Sequence, residues 1–166
     1  NSTVEGEGTI NLYAGGERTY LGSNDKKAKN YHPDWNNFAG TLNIYPYKEV
    51  EKGAGFYGLV WMSGKTFVPD NAAQNALEGN INGCFAHSKV ILRQGAALAC
   101  ESGQRGLRIA HLETEPESFL YGYIKNNSRN SGFYMVGADN EDATLAGRIM
   151  PMGGTDLNVK VGIVKE

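Results

Sequence analysis

The chain has 166 residues, 40% of them apolar and 20% charged, with a formal net charge of −2 and a pI near 6.0. Such a balance argues against wholesale disorder, and it supplies no electrostatic reason to expect nucleic acid or an anionic membrane surface as a partner. No run approaches the roughly 18 apolar residues of a membrane span, so membrane insertion is not expected. Glycine is abundant, 22 of 166 residues, or nearly twice the usual ~7%. With nine Tyr and many Asn, this composition favours short strands joined by many turns.

In chain order, the first predicted strand is "GTINLYA", Gly8 to Ala14. A polar stretch from Gly22 to Asn37, with three lysines and Pro33, reads as a long surface loop. "TLNIY" (Thr41 to Tyr45) and "GFYGLVWM" (Gly55 to Met62) are the next strands. "DNAAQNALEG", Asp70 to Gly79, is the one helix candidate, with Asp70 as N-cap and Gly79 to close it. Strands are then predicted at Lys89 to Gln94, Gly106 to Leu112, Ser118 to Lys125, Phe133 to Gly137 and Ala143 to Met150. "PMGG" (Pro151 to Gly154) reads as a turn. The last strand is the clearest: Leu157, Val159, Val161 and Ile163 alternate with Asn158, Lys160 and Gly162.

Strand after strand bounded by Gly, Asn or Asp clusters predicts an all-β fold, an antiparallel meander or sandwich, with at most one short helix near 70–79. A weak boundary near Asn80 to Gly83 divides an N-terminal β region (1–82, holding the 22–37 loop) from a C-terminal meander (83–166); one continuous domain is the alternative. The Gly-Phe-Tyr starts of "GFYGLVWMSG" and "GFYMVGADN" echo each other, which is too little for a repeat. Asn1 is not an initiator methionine, so a processed or excised fragment is expected. Asn1-Ser2-Thr3 and Asn126-Asn127-Ser128 match the glycosylation sequon.

Candidate chemistry is sparse. Cys84 and Cys100 could pair, but two cysteines are not a disulfide framework, and half-buried thiols are the plainer reading. His87 follows Cys84 by three residues without a second pair to complete a ligand set, so no metal site is expected. Gly53-Ala54-Gly55-Phe56-Tyr57-Gly58 spells G-x-G-x-x-G, but β-prone "LVWMSG" follows where a nucleotide site needs a helix, and no cofactor is expected. In "HLETEPES", alternation places His111, Glu113 and Glu115 on one face of an extended segment. Paired carboxylates can hydrolyse glycosides, yet an acidic run before proline is more often a solvated turn. No catalytic residue is assigned. Aromatics beside polar loops, above all Tyr31 and Trp35, could stack on sugar rings; packing of the sheet is their alternative role.

From Phe119 to Val164 the order of motifs is "FLYGYIKNN", "SRN", "GFYMVG", "ADNED", "ATL" and "DLNVKVGIV". This resembles the repeating β unit in tail fibres of short-tailed bacteriophages. There, a strand meets a Lys-Asn/Asp-Gly turn with an Arg, an aromatic pair with Val-Gly, and a polar turn ahead of Thr-Leu. The chain departs from that pattern at Phe133-Tyr134, usually Trp-Tyr, and at Gly137-Ala138-Asp139, usually Gly-Arg-Gly. The resemblance implies a homotrimer of interwoven β chains on a virion tail, binding lipopolysaccharide or another bacterial envelope glycan. Gly137, Ala146 and Gly147 would let three chains approach an axis. Exposed turns would carry recognition, with Tyr31, Trp35, Asn127, Arg129, Asp139 and Asn140 as candidate contacts, Arg129 suited to an anionic group. Two other functions remain open: a monomeric carbohydrate-binding or lectin-like module, and a glycan depolymerase or esterase using Glu113 and Glu115.

Overall fold

The structure is a computed structural model that describes residues 4–14, 19–21, 35, 37–47, 58–62, 81–100, 106–123, 132–152 and 161–165. Eleven strands run through them: β1 (Thr9–Ala14), β2 (Thr19–Leu21), β3 (Thr41–Pro46), β4 (Gly58–Met62), β5 (Ile81–Leu92), β6 (Ala96–Cys100), β7 (Gly106–Thr114), β8 (Phe119–Tyr123), β9 (Gly132–Val136), β10 (Arg148–Met152) and β11 (Val161–Lys165). Odd strands form a six-stranded sheet in the order β1-β3-β5-β7-β9-β11, and even strands a five-stranded sheet in the order β10-β8-β6-β4-β2. All pairs in both sheets are parallel. The chain is therefore a two-sheeted solenoid. Each coil lays one strand on the first sheet, turns a corner and lays the next on the second.

This overturns the antiparallel meander, because every described strand finds a parallel ladder partner two elements away in the chain. Period-two patterning reveals a strand and which face it buries, but it is blind to the neighbour's direction. Among the described residues, the turns at 93–95 and 115–118 are corners that carry the chain from the first sheet to the second. Among the described residues there is no helix, and none long and apolar enough to cross a membrane. The helix expected at 70–79 lies outside the described residues, as do Cys84 and Cys100 beyond their backbone.

Coils vary in length. Lys89 pairs with His111 and Ala97 with Phe119, each a step of 22 residues, whereas Phe119 pairs with Arg148 and Gly132 with Val161, each a step of 29. The core lies between the sheets, where Leu42, Ile44, Val90, Leu92, Leu107, Ile109 and Leu112 of the first meet Ala96, Leu98 and Leu120 of the second. Trp35 joins it, edge-on to Phe38 and Phe85 at 5.8 and 5.7 Å. Corners stack as the strands do: Tyr47 N donates to Ala14 O, Arg93 N to Ile44 O, Glu115 N to Leu92 O, and Gly95 N to Glu117 O, all at 2.9–3.0 Å.

Three local readings also change. β6, "AALAC", buries Ala96, Ala97, Leu98 and Ala99 alike, so it shows no alternation; such continuous runs mark parallel strands covered on both faces. β5 begins at Ile81, ahead of the predicted Lys89, and carries register shifts between Asn82 and Lys89 that scramble its period. β10 starts at Arg148 and includes Pro151 and Met152, which the turn reading had placed outside the strand.

Candidate functional site

Along β1 and β3, and from Lys89 in β5 and His111 in β7 onward, past the register shift that reverses the earlier parity of Phe85, Leu107 and Ile109, the even-numbered residues Leu12, Leu42, Ile44, Val90, Leu92 and Leu112 point to the core, so the odd-numbered ones face outward. In-register parallel pairing stacks these outward residues in three columns. Thr9, Thr41, Lys89 and His111 form the first, and Asn11, Asn43, Ile91 and Glu113 the second. Tyr13 and Tyr45 form the third, which Arg93 and Glu115 extend at the corner.

The third column is an aromatic and cationic stack. Tyr13 and Tyr45 lie nearly parallel with centroids 5.0 Å apart, and the Arg93 guanidinium sits over Tyr45 at 5.5 Å. Arg93 Nη1 donates to Glu115 Oε1 and Nη2 to Asn43 Oδ1, both at 2.8 Å, while Asn43 Nδ2 donates to Asn11 Oδ1 at 3.0 Å. The bond to Glu115 raises the Arg93 pKa further above its already high value, against a smaller effect of burial. Tyr13 is 64% exposed and Tyr47, at the adjoining corner, 45%.

The first two columns end in an acidic cluster around His111. Its Nε2 faces Glu113 Oε1 at 3.0 Å, and Lys89 Nζ donates to the same oxygen at 2.7 Å. The Lys89 bond holds the Glu113 carboxyl below the usual carboxylate range; partial burial opposes this and His111 reinforces it. On the other side, His111 Nδ1 meets Asp139 Oδ2 at 2.8 Å and Glu141 Oε2 at 3.7 Å. The His111 side chain is 3% exposed.

Asp139 and Glu141 arrive through a gap in the ladder. β7 pairs with β9 as far as Ile109 and Val136, and pairing resumes at the bridge between Thr114 and Leu145. Nine steps of the upper coil thus span five of the lower, and the surplus forms the turn above His111. Gly137 N donates to Ala110 O at 3.1 Å, which anchors the turn beside the histidine. Gly137 (φ 102°) and Asn140 (φ 58°) occupy the left-handed region, open to glycine and tolerated by asparagine. Glu141 N donates to Asp139 Oδ1 at 3.2 Å.

The predicted contacts fall unevenly. Asp139 and Asn140 are exposed in this turn. Trp35, at 9% exposure, takes the packing role and offers no free face for a sugar. Tyr31, Asn127 and Arg129 lie outside the described residues. His111, Glu113 and Glu115 do share one face, but Glu115 is committed to Arg93, and the partners of His111 beyond Glu113 come from a turn 28 residues on. Sequence reasoning missed the Tyr13–Tyr45–Arg93 column. The signal was present: Thr9-Ile10-Asn11-Leu12-Tyr13 and Thr41-Leu42-Asn43-Ile44-Tyr45 are one pentapeptide with Ile and Leu exchanged, and they pair residue for residue. The Gly-Phe-Tyr echo, by contrast, leads into strands of different sheets, β4 and β9. No protein-family model matches the chain, and no curated protein does.

Proposed function

We propose that the chain is a non-enzymatic recognition module that presents a rigid solenoid face to a surface glycan. The observation that carries this reading is the outward Tyr13–Tyr45 stack beside exposed Tyr47, with Asn11, Asn43 and Arg93 alongside. Aromatic faces next to polar side chains suit sugar rings, which are apolar on one face and hydroxylated at the rim. In-register stacking fixes the column before any ligand arrives, which limits the entropy lost on binding. Candidate contacts in the turn above His111, Asp139 and Asn140, belong to the same sheet's outer side and extend the surface.

Two features weigh against hydrolysis by Glu113 and Glu115. A general acid needs a raised pKa, whereas Lys89 lowers that of Glu113. Glu115 is held by Arg93 and by the Gln94 amide, both at 2.8 Å.

The setting, attachment of a bacteriophage tail fibre to a bacterial envelope glycan such as lipopolysaccharide, rests on the likeness in Phe119 to Val164. It carries the expectation of a homotrimer on the virion, in which weak sites would add avidity. Sedimentation measures this: a species of three times the 18.0 kDa chain mass supports the setting, and a monomer removes it in favour of a single-site module. The binding function is tested on a glycan array that includes bacterial surface polysaccharides, with the parent chain, Tyr13→Ala and Tyr47→Ala. Affinity should fall by about tenfold or more in each variant. Equal binding by all three would sink the proposed surface.

A further inference from the structure

Three carboxylates, Glu113, Asp139 and Glu141, gather around the buried His111 ring. Glu113, fixed by Lys89 at 2.7 Å, lies 3.0 Å from His111 Nε2, where a carboxylate can take the N–H of the tautomer protonated at that nitrogen. In that tautomer Nδ1 carries a lone pair. Yet Nδ1 points at Asp139 Oδ2, 2.8 Å away, with Glu141 Oε2 at 3.7 Å. Three electron-rich atoms, one from each of these residues, lie within 4.8 Å of one another. Either a proton on Nδ1 or a cation between these three atoms satisfies the contact. Among the described residues His111 is the one basic group within ion-pair distance of Asp139 or Glu141, since Lys89 is taken by Glu113.

We propose that this ladder gap is a divalent cation site in which His111 Nδ1, Asp139 and Glu141 are the ligands, and Glu113 is the outer carboxylate that orients the ring. A histidine that ligates through one nitrogen and gives its other N–H to a carboxylate is the usual arrangement around protein-bound metals. Here Lys89 balances that outer carboxylate. The two ligating carboxylates then carry two negative charges, which a divalent ion neutralises. One nitrogen with two oxygens selects a borderline ion such as Zn²⁺, or Mn²⁺, over Ca²⁺ and Mg²⁺, which favour all-oxygen shells.

The two contacts to Nδ1 lie close to the spacing a bound ion needs. Tetrahedral zinc with bonds of about 2.0–2.1 Å places its ligand atoms about 3.3 Å apart. The Nδ1–Asp139 contact would open slightly and the Nδ1–Glu141 contact would close, both by movement of an exposed turn. The remaining position of a four-coordinate ion is left for water. The ion would staple the turn after β9 to β7, joining two successive coils where their ladder is broken. The rival for the same place is a proton on Nδ1, giving an imidazolium between two carboxylates.

Titration calorimetry and thermal melts on the EDTA-stripped full chain decide between ion and proton. The probes are Zn²⁺, Mn²⁺, Mg²⁺ and Ca²⁺ as chlorides, added to the parent chain, Asp139→Asn, Glu141→Gln and Glu115→Gln. One Zn²⁺ or Mn²⁺ per chain is expected, with a Tm about 5–10 °C higher at a hundredfold excess over Kd. Asp139→Asn and Glu141→Gln should each weaken binding more than about tenfold. Both lie on the exposed turn, and their melts without metal report whether the fold is kept. Glu115→Gln, on the same sheet face but bound to Arg93, should bind as the parent does. Absence of binding to all four ions overturns the site and assigns the place to a proton. Binding that survives both turn substitutions also overturns it, by locating the ion elsewhere.

Discussion

The Tyr134 hydroxyl, on the six-stranded sheet, donates to the carbonyl of Leu98, on the five-stranded sheet, at 2.9 Å. The same hydroxyl lies 2.8 Å from Tyr121 O on the neighbouring strand of that second sheet. Tyr134 is fully buried, so one side chain ties the two layers together through the core by a polar contact from which water is excluded.

Tyr134→Phe removes this tie while leaving the ring. Loss of a buried hydrogen bond that leaves a partner unsatisfied costs about 1–3 kcal/mol. For a chain of this length each kcal/mol corresponds to about 2–4 °C in Tm. A thermal melt should show a drop in that range. An unchanged Tm would mean that the hydroxyl contributes nothing net.

Gly40 has no room for a side chain. A Cβ there would collide with the Gly8 carbonyl oxygen, a backbone atom, and approach the Phe38 ring at 2.6 Å. Thr41 N donates to that same Gly8 oxygen at 2.7 Å, so the oxygen cannot move away without loss of the first rung between β1 and β3. Gly40→Ala should cost at least about 1–3 kcal/mol, measured by urea denaturation. A neutral result would show that the β1–β3 edge is slack.

Arg93 joins three coils through Asn43, Tyr45 and Glu115. Arg93→Ala strands the nearly buried Asn43 oxygen and should lower stability by about 1–3 kcal/mol. Lysine has a single ammonium in place of the planar fork, so Arg93→Lys should recover less than half of the loss. Full recovery by lysine would reduce the column to a simple charge pair.

Glu113 makes part of the stability acid-sensitive. Its folded pKa is held below the ordinary value by Lys89, so the unfolded chain takes up the proton first as the pH falls. The contribution is full above about pH 4.3 and is lost as the pH drops through the folded value. In EDTA, Lys89→Met should therefore show a shallower decline of Tm below pH 4.3 than the parent chain. Parallel profiles would place the acid sensitivity elsewhere.

Strand positions were legible wherever one face is buried and the other wet. "TINLYA" and "TLNIYP" alternate because Leu12, Leu42 and Ile44 enter the core while Asn11, Asn43 and the tyrosines leave it. β6 was not legible, since both its faces are covered and the pattern vanishes. The outward grouping of His111, Glu113 and Glu115 followed from alternation within one strand. That Asp139 and Glu141 complete the histidine's surroundings did not follow, because a gap in the ladder brings them there across 28 residues.

By itself, then, the amino-acid order determined that the chain is β-rich, which residues face inward along its alternating strands, and that a polar turn follows "GFYMV". The tertiary structure alone decided that the strands run parallel in coils and that successive strands alternate between two sheets. It also decided that a tyrosine–arginine column and an acidic cradle around His111 form on the outer face. Alternation is a property of one strand and its two environments, whereas direction, register and the meeting of distant carboxylates depend on how one coil is laid upon another.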